Sequence, residues 1–284
     1  MTKVVVTGGS GKAGRIVVRD LLAHGHEVRN VDRVPPPESN GHDAQAVFLP
    51  AELTDLGQTL EALDGAEVVV HLAAIPSPAH GTPEVVFRNN VMSTYTVFAA
   101  ARRLNLERVV SASSETTIGL PFDEPPAYLP VDEEHVRLES SYALSKITGE
   151  EMARHFSRWT GTTFIGLRFS NVLVREDYRR FPEYWDDPLA RKWNLWSYVD
   201  ESHVAESVRR SLDADVQGAE SFIIAAPDTV MQRPSRELMH EIFPGISVPD
   251  DLPEYGSLLS SEKARRMLGY DPRWSWRELF QSAG

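Results

Sequence analysis

The chain has 284 residues, of which 42% are apolar and 25% charged, values of an ordinary globular protein long enough to bury a core without disulfides. It contains no cysteine, which excludes disulfide staples, thiolate metal sites and a cysteine nucleophile; no metal ligand set is assigned. A formal net charge of −12 argues against a nucleic-acid partner, because phosphate binding relies on clustered Lys and Arg, and no apolar run approaches the ~20 residues of a membrane span.

The first strand is expected at residues 4–6, with no cationic or apolar leader before it, so a soluble cytoplasmic protein is expected. Thr7-Gly-Gly-Ser-Gly-Lys-Ala-Gly14 follows and opens a helix predicted over 12–23. Glycines after a strand and before a helix permit a tight turn, approach of backbone to a pyrophosphate and close helix–sheet contact. Gly8, Ser10, Gly11, Lys12, Ala13 and Gly14 are therefore candidate dinucleotide contacts, although the spacing is Gly-x-x-Gly-x-x-Gly rather than Gly-x-Gly-x-x-Gly. The next strand, 27–31, ends at Asp32, 18 positions after Gly14. An acid there accepts hydrogen bonds from the adenosine ribose and repels a 2′-phosphate. That favours NAD, while Lys12 and Arg33 are cations able to neutralise a 2′-phosphate, so NADP stays open.

Residues 34–43, with Pro35-Pro36-Pro37, read as a loop, as do 120–139. Helical spacing recurs over 54–63, 84–104 and 141–159, alternating with apolar strand-like runs at 68–71, 108–111 and 163–168. Near-continuous apolar strands imply helices on both faces, and the alternation implies right-handed crossovers: an α/β Rossmann fold with a doubly wound parallel sheet. Beyond it the pattern loosens into an aromatic stretch from 178 to 198, read as core or interface, then a strand at 221–226 and a helix at 260–268. The expected organisation is a dinucleotide-binding domain over 1–170 and a small substrate-binding lobe over 171–284, interleaved with remaining sheet elements at about 197–226.

Tyr142-Ala-Leu-Ser-Lys146 lies in the helix predicted over 141–159, and i, i+4 spacing puts both side chains on one face. A neighbouring ammonium is expected to lower the phenol pKa from its reference of about 10, making Tyr142 a usable acid/base. Ser111-Ala-Ser-Ser114 runs out at a carboxyl strand end, where open α/β sheets place ligands.

These residues together resemble the extended short-chain dehydrogenase/reductase superfamily, in its NAD-dependent epimerase/dehydratase branch. The resemblance is carried by the Thr7 to Gly14 loop, His71-Leu-Ala-Ala74, Asn90, Ser113-Ser-Glu-Thr-Thr-Ile-Gly119, Tyr142 to Lys146, Arg168-Phe-Ser-Asn171 and Tyr198-Val-Asp200, in the family's order. It implies that Ser114, Tyr142 and Lys146 are catalytic, that Lys146 also holds the nicotinamide ribose, and that Ala73, Ala74, Ile75 and Asn90 belong to the cofactor cleft. Glu52-Leu53 falls where the family usually has Asp and an apolar adenine contact. The implied reaction is hydride transfer between a sugar carbinol carbon and the nicotinamide.

The form around Ser114 is similar to uronate dehydrogenases, in which an Arg after the sixth strand binds the substrate carboxylate; Arg179 and Arg180 fall in that region. Glu115 and Thr116 stand where those enzymes have Asn and His, which leaves a neutral sugar open. Asn171, the remaining substrate-contact candidate, is followed by Val-Leu-Val-Arg-Glu rather than the x-Tyr-Gly-Pro usual in nucleotide-sugar enzymes. A sugar dehydrogenase is the leading reading; the alternatives are a nucleotide-sugar 4-epimerase that retains NAD and a non-catalytic dinucleotide sensor. The family also implies a homodimer formed through the helices at 84–104 and 141–159.

Overall fold

In the computed structural model, which describes residues 1–37 and 45–281, the chain opens with β1 (Lys3–Thr7), α1 (Lys12–Ala23), β2 (Glu27–Asp32) and β3 (Val47–Pro50). It continues with α2 (Leu56–Leu63), β4 (Val68–His71), α3 (Pro83–Arg103), β5 (Arg108–Ser114), α4 (Ser141–Thr160) and β6 (Thr163–Phe169). The last part holds β7 (Val172–Leu173), α5 (Pro182–Trp185), β8 (Val199–Asp200), α6 (Glu201–Asp213), β9 (Ala219–Ile224), α7 (Ser235–Ile242), α8 (Glu262–Leu268) and α9 (Arg277–Gln281). Of the proline-rich loop expected at 34–43, residues 38–43 lie outside the described residues.

Seven strands form one sheet in the order β3-β2-β1-β4-β5-β6-β9, every pairing parallel. The order reverses between β1 and β4, which makes a crevice at the carboxyl ends of the strands. Strand β1 shows why its sequence is apolar throughout. Val4 and Val6 join one core with Val17, Leu21, Val204 and Val208 of α1 and α6. Val5 points to the other face, into a core with Leu63, Val97, Phe98 and Phe156, as the two-residue period of a strand requires. Each fully buried Val, Leu or Phe contributes roughly 1.5–3 kcal/mol.

A third core lies in the later part of the chain. Tyr178, Phe181, Trp196 and Tyr198 are buried there together with Trp276. The segment expected as a loop at 120–139 holds no helix or strand, yet Leu120, Phe122, Leu129 and Val131 all enter this core.

Two differences from expectation matter for the site. Strand β5 runs on to Ser114, so Ser113 and Ser114 are fixed by the ladder to β6. Helix α6 buries His203, Ser207 and Ser211 alongside Val204 and Val208, which dilutes the apolar stripe by which a helix is recognised. Helix α4 is sharply bounded: the Ser140 hydroxyl accepts from Ala143 N–H at 3.1 Å, and Gly161 closes it at φ +78°. No helix among the described residues is long and apolar enough to cross a membrane.

Candidate active site

The crevice opens into a cavity of about 880 Å³. One end is walled by the glycine loop. Gly8 adopts φ +70°, and a Cβ on it would lie 2.6 Å from the Ala73 nitrogen. A Cβ on Gly14 would lie 2.0 Å from the Gly8 carbonyl oxygen. The loop therefore packs as tightly as a backbone cradle for phosphate demands. Gly11 caps α1 without a side-chain hydrogen bond, leaving the helix terminus to an anion. Asp32 accepts from Ser10 N–H at 3.1 Å and from Arg33 N–H at 2.7 Å, so the acid at the end of β2 also fixes the loop. The residues fit a dinucleotide.

The middle of the cavity is walled by Ser114, Tyr142 and Lys146. Ser114 hydrogen-bonds the Tyr142 phenol and accepts from Thr116 N–H at 3.1 Å. Lys146 donates to the Ala112 carbonyl at 2.8 Å, and its Nζ lies 5.6 Å from the Tyr142 ring centroid. Burial pushes the Lys146 ammonium down to about 8, with Glu150 opposing. Burial pushes the Tyr142 phenol up to about 12, against the Ser114 bond and with the help of the Glu115 charge.

At the far end stand Glu115, Thr116, Ser170, Asn171 and Trp193. Glu115 is 3% exposed. Its carboxyl accepts from Ser170 Oγ and, at 3.3 Å, from Asn194 Nδ2. Burial raises it to about 7 despite those bonds and the nearby Arg191 guanidinium.

A model of the NAD dependent epimerase/dehydratase family matches residues 4–186. The chain belongs to this family. It is 29% identical over 225 residues to an L-arabinose 1-dehydrogenase (NAD(P)(+)) of Haloferax volcanii, covering 76% of this chain and 84% of that protein. A Methanocaldococcus jannaschii protein provisionally classed as a UDP-glucose 4-epimerase is 33% identical over 174 residues. That match covers 60% of this chain and 55% of the relative, so the chain spans about half of that protein's length. Among solved structures, a short-chain dehydrogenase/reductase superfamily protein from Agrobacterium tumefaciens with bound NAD superposes with a TM-score of 0.75 at 22% identity, covering 99% and 95% of the two chains. As a member of this family the protein is an NAD-dependent enzyme.

The epimerase/dehydratase fold brings most of the expected residues to one cavity: Gly8, Ser10, Gly11, Lys12, Ala13, Gly14, Asp32, Arg33, Glu52, Leu53, Ala73 and Ala74 line it with the Ser114, Tyr142 and Lys146 set. Ile75 and Asn90 do not line it. Asn90 accepts from Ile75 N–H at 2.8 Å and donates to its carbonyl at 3.1 Å, so the pair braces the segment after β4 from behind. Lys12 is pinned to the opposite wall, donating to the Val172 carbonyl at 2.7 Å and pairing with Asp177 at 2.6 Å. Arg33 lies 4.0 Å from Glu52.

Two expectations require correction. Arg179 and Arg180 lie outside the wall, both exposed, with Arg180 3.4 Å from Glu183. The short 3-10 turn that carries them buries Tyr178 against Asp200 and turns its neighbours to solvent. The expected lowering of the Tyr142 pKa by Lys146 is also reversed, because burial dominates and the ammonium is engaged by a carbonyl. Sequence reasoning missed Ser170 and Trp193 as wall residues; Trp193 sat in an aromatic run whose other members are core. It also missed Asn89 and Ser93, whose i, i+4 spacing on α3 was the available signal.

Proposed function

We propose that this family member is an NAD-dependent sugar dehydrogenase in which Ser114, Tyr142 and Lys146 act on the carbinol carbon. The observation that carries the reading is the continuity of one cavity, from the glycine loop and Asp32 at one end to Ser114 and Tyr142 beyond. The glycine loop and Asp32 would hold NAD, which when bound would supply the hydride acceptor for that carbon. The Ser114 hydroxyl holds the substrate oxygen, and Tyr142 Oη takes the proton the oxygen gives up, which then passes to solvent. Lys146, which lines the same cavity beside Tyr142, would hold the nicotinamide ribose. Asp32 supports preference for NAD, since the two cations that could serve a 2′-phosphate are engaged by Asp177 and placed beside Glu52.

The polypeptide after β6 supplies Asn171 and Trp193 to the far wall, which supports a substrate-holding role for residues 171–284. Exposed Val85, Met92 and Tyr95 on α3, with Leu144 and Trp159 on α4, support a homodimer through these two helices. Sedimentation as a monomer at micromolar concentration refutes the dimer.

The enzymatic reading is tested by following NADH absorbance with free NAD as stoichiometric oxidant and a panel of aldoses, uronates and nucleotide sugars. Continuous NADH production with a free sugar is expected. Interconversion of a nucleotide sugar with tightly held cofactor and no net NADH makes the protein an epimerase instead, and binding without turnover makes it a sensor.

A further inference from the structure

Beyond Ser114 and Tyr142 the cavity ends in a corner built around Glu115. It holds a buried carboxyl and, among the described residues, no free cation. Lysine and arginine appear in the wall at three places, Lys12, Arg33 and Lys146. Lys12 is paired with Asp177. Arg33 stands at the Asp32 end, and Lys146 lies beside Tyr142 with its ammonium on the Ala112 carbonyl. The cation nearest the corner, Arg191, is not part of the wall. Its guanidinium lies over the Tyr184 and Trp193 rings at 5.5 and 5.0 Å, and it donates to the Ser197 carbonyl at 2.9 Å.

The corner does offer hydroxyl partners. Glu115 accepts from Ser170, from Asn194 and from the Asn171 backbone, and a carboxylate has about four lone-pair positions. Thr116 also lines the cavity, and its Oγ1 is buried with no hydrogen-bond partner among the described residues. A buried hydroxyl without a partner is costly unless a ligand completes it.

We infer that Glu115 and Thr116 form a hydroxyl-recognising corner that selects a neutral sugar and rejects its acid. This rests on the sugar-dehydrogenase reading above. A sugar hydroxyl donates to the open Glu115 position and accepts from Thr116 Oγ1. A uronate carboxylate brings a second negative charge against one that is already out of water; the nearby Arg191 guanidinium already faces Glu115, is held by the Ser197 carbonyl and does not line the cavity, and like charges in a low-dielectric site repel strongly. Rejection here works through an unfavourable contact built against the wrong ligand. The upward shift of the Glu115 carboxyl to about 7 fits a group already crowded by burial, and assays above that value present it as the carboxylate.

The test uses substrate pairs that differ only at C6: D-galactose with D-galacturonate, and D-glucose with D-glucuronate. With the whole protein and NAD above neutral pH, the neutral member is expected to exceed the acid by at least ~10-fold in kcat/KM, the scale of one well-placed polar discrimination. Glu115→Gln keeps the size and removes the charge. It is expected to narrow the ratio by ~10-fold, through a lower KM for the acid and a higher KM for the neutral sugar, while the dissociation constant for NAD is unchanged. Thr116→Val, which leaves the buried carboxyl in place, is expected to raise KM for the neutral sugar alone. Calorimetric binding of the same pairs to the NAD-loaded protein reads the selection without turnover. Equal use or equal binding of sugar and uronate by the wild type overturns the corner, as does a ratio that Glu115→Gln leaves unmoved. Failure of every free sugar to yield NADH, with selective binding retained, overturns the dehydrogenase reading and leaves the corner standing.

Discussion

Tyr142 and Lys146 are one helical turn apart, and burial moves both away from the charged state: the phenol upward to about 12 and the ammonium downward to about 8. The chain's own residues therefore hold Tyr142 as a neutral phenol near neutral pH. Oxidation of a carbinol requires Tyr142 to accept a proton, so the competent fraction is the phenolate, and it grows as pH rises toward the raised pKa. The expected outcome is a kcat/KM for oxidation that climbs from about pH 6 to about pH 9, with Tyr142→Phe costing at least ~100-fold in rate at little cost in NAD affinity. A flat pH profile, or unchanged turnover in that variant, removes Tyr142 from the mechanism. The residues of this set were legible because i, i+4 spacing is a local property of a helix. Their protonation was not. It depends on how deeply α4 is packed and on the Ala112 carbonyl that engages Lys146, and neither is written in the five residues from 142 to 146.

Helix α4 is held against the sheet by a buried ionic cluster directly beneath those side chains. Glu150 on α4 meets Arg168 on β6 through two bonds, at 2.8 and 2.9 Å, and accepts from Ser113 on β5. Arg168 also donates to the Glu133 carbonyl at 2.8 Å. Arg168 and Glu150 side chains are 2% and 4% exposed, so removing one partner leaves a charge in the interior. Arg168→Met is expected to cost about 3–5 kcal/mol in chemical denaturation, whereas Arg168→Met combined with Glu150→Leu costs much less than the sum of the single changes. Additive effects would show that the pair is not coupled. Legibility at this scale followed how many apolar residues mark an element. Helices α1, α3 and α4 were predicted within a residue of their bounds because their stripes repeat over three or more turns. Strand β3 has four residues, of which Val47 is 66% exposed, too few to show a period, and α6 mixes polar side chains into its buried face, so few apolar residues mark it. Arg179 and Arg180 were misplaced for a related reason, since a short 3-10 turn carries no period long enough to say which way a side chain points.

The sheet is completed only after the chain has left it and returned: β9 pairs with β6 after β7, β8 and α6 have been laid down. Helix α6, from this later stretch, packs on α1 in the same core as β1. Unfolding of residues 171–284 thus strips the sheet of its last strand and uncovers one of its faces. The third core, around Trp196 and Trp276, is attached to the same strand, because Ile223 and Ala225 belong to it while Phe222 and Ile224 belong to the core over α6. One side of β9 therefore serves each core, and the two ends of the chain are expected to melt together. The cofactor supplies the means to check. A ligand that binds only the folded form at 100 times its Kd stabilises by about 2.7 kcal/mol, which for a chain of this length raises Tm by about 4–5 °C. Scanning calorimetry is expected to show a single transition that moves as a whole by that amount when NAD is added, and by less in Asp32→Ala, where the acid that fixes Ser10 is gone. Two transitions, with only the first responding to NAD, would mean that residues 171–284 fold independently of the dinucleotide-binding sheet, against the arrangement of β9 between the two cores.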